Sequence, residues 1–215
     1  ICLTKEHFPR LITSRRIDHQ IGTYFGPFAN PKSMHALLEL LHQLYPLRTC
    51  ALALKPGNIE QGKFKVCLEY HIGNCKGPCE GLQTESDYLI YIEQITDILK
   101  GNYQKPKSMF IERMQQASAR MAFEEAQEWK EKWELLENFQ AKSTVVNPSI
   151  HDVDVFTIVS DESLAYINFM KVINGTILQS QTWEVKKKLN EDESELVTML
   201  IWEKRDQFHS EAKEI

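Results

Sequence analysis

Cys67-Leu68-Glu69-Tyr70-His71-Ile72-Gly73-Asn74-Cys75-Lys76-Gly77-Pro78-Cys79 carries three of the five cysteines in this 215-residue chain, and Cys50 stands upstream of it. Thiolates gathered by short loops are soft ligands suited to zinc or to an iron–sulfur centre. Gly77 and Pro78 let the last loop turn tightly enough for two sulfurs to face one centre. The gaps of sixteen, seven and three residues do not match the paired Cys-x-x-Cys knuckles of zinc ribbons. The competing reading is a set of small buried hydrophobes, a common fate of free cysteines. Spacing favours the metal or cluster.

Upstream, Ile1 to Arg16 reads as a β-rich segment broken at Pro9 and ending in Arg15-Arg16. Tyr24-Phe25-Gly26-Pro27-Phe28 is a turn with three aromatics. Asn30 caps a helix with Pro31 at its first position; Leu37, Leu38, Leu41, Leu44 and Tyr45 form its apolar face, and Pro46 stops it.

Downstream, Thr84 with Asp87 three residues on opens a helix lined by Tyr88, Ile92, Ile95 and Leu99, which Gly101 ends. Residues 107–142 are the most helical part. Pro106 precedes a helix bearing Phe110, Met114, Ala117 and Met121. A second helix carries Phe123, Ala126, Trp129, Trp133, Leu136 and Phe139. A tight reversal within Ala119–Glu125 predicts an antiparallel hairpin. Asn147-Pro148-Ser149 reads as a linker. Three alternating runs follow, Val153–Val159, Leu164–Val172 and Thr176–Val185, the last two joined by the hairpin signal Asn174-Gly175. A helix from about Glu191 to Phe208 completes an α/β layer that would normally continue. The fold class is α+β, and the chain reads as a piece of a longer protein.

The net charge of −5 is unevenly spread. Residues 1–80 hold ten Lys/Arg and six Asp/Glu, while residues 81–215 hold fifteen and twenty-four. Only the first third is therefore suited to phosphates, through Arg10, Arg15, Arg16, Lys32 and Arg48. No run approaches the length of a membrane span. An odd cysteine count fits a reducing cytoplasm better than a secreted disulfide framework. Asp152 and Asp154 alternate at one strand start, the pattern of a solvated edge rather than of a two-metal centre.

Taken in order, these segments resemble the UvrC family of excinucleases, the nucleases of bacterial nucleotide excision repair. Phe8 to Arg15 and Tyr24 to Phe28 resemble the end of the family's GIY-YIG nuclease domain. Leu44-Tyr45-Pro46-Leu47-Arg48-Thr49-Cys50 is similar to the segment leading out of it, and Cys67 to Cys79 to its cysteine-rich insert. Met121-Ala122-Phe123-Glu124-Glu125-Ala126 resembles the UVR motif that docks on the UvrB helicase. It departs from that motif at Gln127, Trp129, Lys130-Glu131 and Trp133. The resemblance implies a GIY-YIG remnant over 1–49, a cluster-binding segment over 50–105 and a UVR helical hairpin over 106–143. Residues 151–215 would then begin an RNase H-like region.

It further implies a [4Fe-4S] cluster on Cys50, Cys67, Cys75 and Cys79, with Cys2 left as core. The UvrB contact falls on Phe123, Glu124, Glu125, Lys130 and Trp133, and damaged duplex DNA is the other partner. Both catalytic centres and their divalent metal belong outside the chain, so no catalytic residue is expected here and the fragment is expected not to cut DNA. The rival is a zinc-binding regulatory adaptor with a UVR-like docking hairpin, of the protein-arginine-kinase activator type. Iron with sulfide, or zinc, separates the two.

Overall fold

A computed structural model of the chain describes residues 1–28, 31–143, 152–173, 176–187, 192–208, 210 and 212–215. The expected cap at Asn30, the linker 144–150, the Asn174-Gly175 turn and the helix start at Glu191 lie outside these residues. The chain divides into two compact units: residues 1–25 with 35–139, and residues 26–34 with 140–215.

The first unit opens with a small antiparallel sheet, order β2-β1-β3, from β1 (Cys2–Thr4), β2 (Leu11–Ile12) and β3 (Gly22–Tyr24). Cys2 is fully buried on β1, as a core residue. Gly22 is required there, because a Cβ would come within 2.2 Å of the Leu3 carbonyl oxygen. Helix α1 (Pro31–Leu44) buries Leu37, Leu40, Leu41 and Leu44, one turn-spaced stripe, with Tyr45 continuing it. Leu40 rather than Leu38 completes the buried face.

The cysteine region is less loop-like than its glycines and prolines suggest. It holds α2 (Pro56–Glu60), α3 (Leu68–His71) and a 3-10 turn, Pro78–Glu80. Helix α4 (Glu85–Lys100) starts where the sequence predicts: the Thr84 hydroxyl accepts from the Asp87 N–H at 3.1 Å. Gly101 ends it with φ +92°, a left-handed cap suited to glycine.

Helix α5 (Gln104–Ala119) and α6 (Phe123–Ser143) form the expected reversal. Pro106 sits inside the first turn of α5, where its missing N–H costs nothing, so the helix begins earlier than Pro106 suggested. Met121 belongs to the turn, at φ +60°, and not to the helix face expected of it. Phe110 stacks on Trp129 at 6.0 Å and Lys107 pairs with Glu137, so the two helices run antiparallel. Leu136 is fully buried. Sheet, cysteine region and hairpin share one compact unit.

The second unit is a three-stranded antiparallel sheet, order β4-β5-β6, of β4 (Asp152–Ser160), β5 (Leu164–Ile173) and β6 (Thr176–Lys186). Helix α7 (Glu193–Gln207) packs Leu196 and Leu200 against Ala165 and Ile167. Phe28 bridges Gln179 of β6, so the aromatic turn is divided: Tyr24 lies on β3 of one unit and Phe28 on the sheet of the other.

Candidate functional site

The four clustered cysteines are all free thiols. Cys75 and Cys79 are buried, Cys50 is half-buried and Cys67 is exposed. Cys67 is the extended residue that precedes α3, and the Cys75 N–H returns to the Glu69 carbonyl at 3.1 Å, closing the loop between them. Gly77 follows at φ +68°, and a Cβ there would press on Tyr70, Leu82 and Val66 at 3.0–3.1 Å. The turn that presents Cys79 therefore needs a glycine twice over, for its backbone and for its space.

Burial pushes the Cys75 thiol up, and the neighbouring thiols of Cys50, Cys79 and Cys67 push the same way. Cys79 is raised by burial first and then by Cys50 and Cys67. The fold thus brings four sequence-distant thiols into one electrostatic neighbourhood. Among the described residues, no three His, Cys, Asp or Glu side chains form a group that would hold a metal ion. Four free thiols with no competing disulfide fit a soft, multi-iron centre in chemistry.

The expected cationic surface is smaller than the sequence suggested. Arg15 and Arg16 are exposed, and so is Lys32, which belongs to the other unit. Arg10 is largely covered and pairs with Glu6 at 2.7 Å. Arg48 is not a surface residue: it is 1% exposed. Its guanidinium donates to the Phe8 carbonyl at 2.8 Å and the Leu52 carbonyl at 2.7 Å, and it pairs with Glu6. A cation so buried and engaged by two carbonyls and a carboxylate is not presented to phosphate. Glu6 is raised by its own burial but more strongly lowered by Arg10 and Arg48, so its carboxyl stays below the ordinary value.

At the hairpin tip, Met121 is 78% and Phe123 67% exposed. Arg120 Nη2 donates to both carboxylate oxygens of Glu125, at 2.8 and 2.9 Å, across the turn. Lys130 sits 3.7 Å from Glu134, one turn on, and Trp133 is half-buried. Glu124 is exposed in the first turn of α6, where its charge suits the helix N-terminus. The hairpin presents an uncovered aromatic beside fixed charges.

In the second unit the solvated-edge reading fails for Asp154. It is fully buried, and its carboxylate accepts from Arg205 Nε and Ser210 Oγ, both at 2.8 Å. Its backbone N–H bonds the Glu214 carbonyl at 3.0 Å. Asp152 is exposed. Asp154 ties strand to C-terminal segment, a role the alternating pattern could not reveal because Arg205 and Ser210 lie more than fifty residues on.

Two family models match the chain. The UvrC/Cho excinuclease middle domain matches residues 1–98, and the UvrC ribonuclease H-like domain matches residues 152–215. The middle-domain match runs across the boundary expected at residue 49/50. The chain is similar to the UvrABC system protein C of Flavobacterium johnsoniae, 49% identical over 215 residues. It is 50% identical over 216 residues to that of Bacteroides fragilis, and 43% identical over 215 to that of Porphyromonas gingivalis. Each comparison covers 100% of this chain and 36% of the relative, so the chain spans about a third of their length. No solved structure matches it. No described helix is long and apolar enough to cross a membrane. The two models and the identity along the whole chain agree: it belongs to the UvrC excinuclease family.

Proposed function

We propose that this chain is the connecting part of a nucleotide-excision-repair nuclease, holding an iron–sulfur cluster and docking that nuclease on UvrB without itself cutting DNA. The observation that carries the docking is the tip of the α5–α6 hairpin. Phe123 stands two-thirds exposed, on a helix whose next aromatic, Trp129, stacks inward on Phe110. An aromatic anchor rimmed by charge is the usual centre of a small protein interface. Glu124, Glu125, Lys130 and Trp133 would surround it. Phe123→Ala should weaken the UvrB complex at least about tenfold in a calorimetric titration. An unchanged affinity would remove the hairpin tip from the interface.

Cys50, Cys67, Cys75 and Cys79 are the residues that would hold the cluster, which supplies a covalent cross-link between chain segments rather than catalysis. A multi-iron centre is broader than one ion, so its ligands need not meet as closely as zinc requires. Anaerobically prepared protein should contain iron and inorganic sulfide in equal measure and lose both when Cys75→Ser is introduced. Zinc without sulfide would favour the adaptor reading instead.

Arg15, Arg16 and Lys32 remain as phosphate contacts that position damaged DNA without reading sequence. Among the described residues no group of three His, Cys, Asp or Glu could hold a catalytic metal ion, and the fully buried Asp154 is occupied by Arg205 and Ser210. A plasmid-nicking assay with added Mg²⁺ or Mn²⁺ tests this, and any metal-dependent nicking abolished by Asp154→Asn would sink it.

A further inference from the structure

Within the first unit an open-sided cavity of about 420 Å³ lies among the end of the cysteine region, α4, α5 and α6. Its volume falls in the range of small-molecule sites. Four of its lining side chains carry buried polar atoms without a hydrogen-bond partner: Tyr45 Oη, both amide atoms of Gln83, Gln94 Oε1 and Trp129 Nε1. These five atoms are all but one of the six such atoms found among the described residues. Tyr45 is 2% and Gln83 5% exposed, so bulk water does not serve them. Leaving such a group unpaired costs about 1–3 kcal/mol each, so their convergence on one cavity points to a ligand.

Charge narrows its chemistry. Lys76, Arg113 and Lys132 line the cavity against a single acid, Asp87, whose carboxylate already accepts from Thr84 at 2.7 Å. Lys132 is depressed by burial and then by the positive charge of Lys76, so the two ammonium groups are held near one another. Among the described residues, neither Arg113 nor Lys132 has an ion-pair partner within 4 Å. The site is built for an anion.

The walls supply the second half. Tyr91 receives Lys76 both as a hydrogen bond to its hydroxyl at 2.8 Å and over its ring at 5.4 Å. Trp129 carries Lys132 over its ring at 4.7 Å. Gln83 offers one free donor and one free acceptor on a planar amide, the pairing that reads a base edge. A carboxylate side chain would use the cations but leave that amide idle.

We propose that this cavity binds one unpaired nucleotide, its base against the Tyr91 and Trp129 wall with Gln83 on its edge, and its phosphate at Lys76, Arg113 and Lys132. The nucleotide comes either free or as one unit of a single strand, and the inference does not depend on what the cysteines hold. A cationic groove lined by aromatic side chains is a general means of holding unpaired nucleotides.

The test is titration calorimetry of the 215-residue chain at low salt against adenosine 5′-monophosphate, a short deoxyadenylate strand and a polyglutamate peptide. The nucleotide or the strand, or both, should bind, and whichever binds identifies the source. Gln83→Leu should weaken that binding about tenfold, the worth of one bidentate base contact. It should also raise the melting temperature of the ligand-free protein, since it removes two unpartnered buried atoms. Lys132→Gln, a milder change, should weaken binding several-fold and flatten its salt dependence. No binding by nucleotide or strand at millimolar concentration would overturn the proposal. So would binding that both variants leave unchanged, or polyglutamate binding as tightly as the nucleotide.

Discussion

Each unit contains an ion pair with one buried partner, and that partner has the opposite sign in the two pairs. In the first, the hidden partner is the cation: Arg48 is 1% exposed while the Glu6 side chain keeps 32% exposure. In the second it is the anion: Asp154 is fully buried while Arg205 keeps 28%. Both pairs join chain-distant segments, residues 6 and 48 in one, 154 and 205 in the other. The difference lies in how the buried group is satisfied. Arg48 spends its donors on two backbone carbonyls as well as a carboxylate. Asp154 divides its two oxygens between one cation and one hydroxyl. A buried ion is tolerated only when every lone pair or proton finds a partner, and the two units meet that demand from opposite sides.

The comparison breaks most sharply at Arg48. Arg48→Ala takes the donor from two carbonyls and leaves Glu6 with Arg10 alone, and should destabilise the first unit by about 3–5 kcal/mol. Denaturation followed by Trp129 and Trp133, with Trp183 and Trp202 replaced by Phe, isolates that unit. Asp154→Ala should cost the second unit somewhat less, about 2–4 kcal/mol, because it leaves one partly exposed cation and one hydroxyl. Trp183 and Trp202 then serve as the reporters. Equal losses in both units from either variant would refute the independence of the two clamps.

Glu6 sharpens it through pH. Its folded carboxyl lies below its ordinary value of 4.5, so the stability it adds is present above that value and lost as pH falls through the folded one. Glu6→Gln should therefore cost about 1 kcal/mol at neutral pH, discounted for its partial exposure, and nothing in strong acid. A cost that persists unchanged at low pH would mean the ion pair contributes nothing.

Met121→Gly relieves a left-handed residue at the hairpin turn and should stabilise by about 0.5–1 kcal/mol. Phe123→Ala should alter stability by less than about 0.5 kcal/mol, because its side chain is exposed. A loss above about 2 kcal/mol would mean that Phe123 packs within this chain instead of awaiting a partner.

Local signals were legible and held. Thr84 with Asp87, Gly101 after Leu99 and the alternating runs of the second unit each name their element through short-range chemistry. The helical reversal was legible because α5 and α6 each carry their own apolar stripe. Arg48 was misplaced for the opposite reason. Its partners lie at Glu6 and Phe8, about forty residues away, and an arginine looks the same in sequence whether it faces water or carbonyls. Asp154 misled similarly, since a period of two assigns residues to faces but does not say which face the C-terminal segment covers.

The amino-acid order by itself determined the longer helices, the strands of the second unit and the tight turn at Gly77, because caps, periodicity and glycine conformations act within a few residues. Only the tertiary structure decided which charges are buried, which aromatic is left uncovered, and that Tyr45, Gln83, Gln94 and Trp129 turn unpaired polar atoms toward one cavity. Those outcomes depend on desolvation, and desolvation is set by neighbours that the chain brings together only on folding.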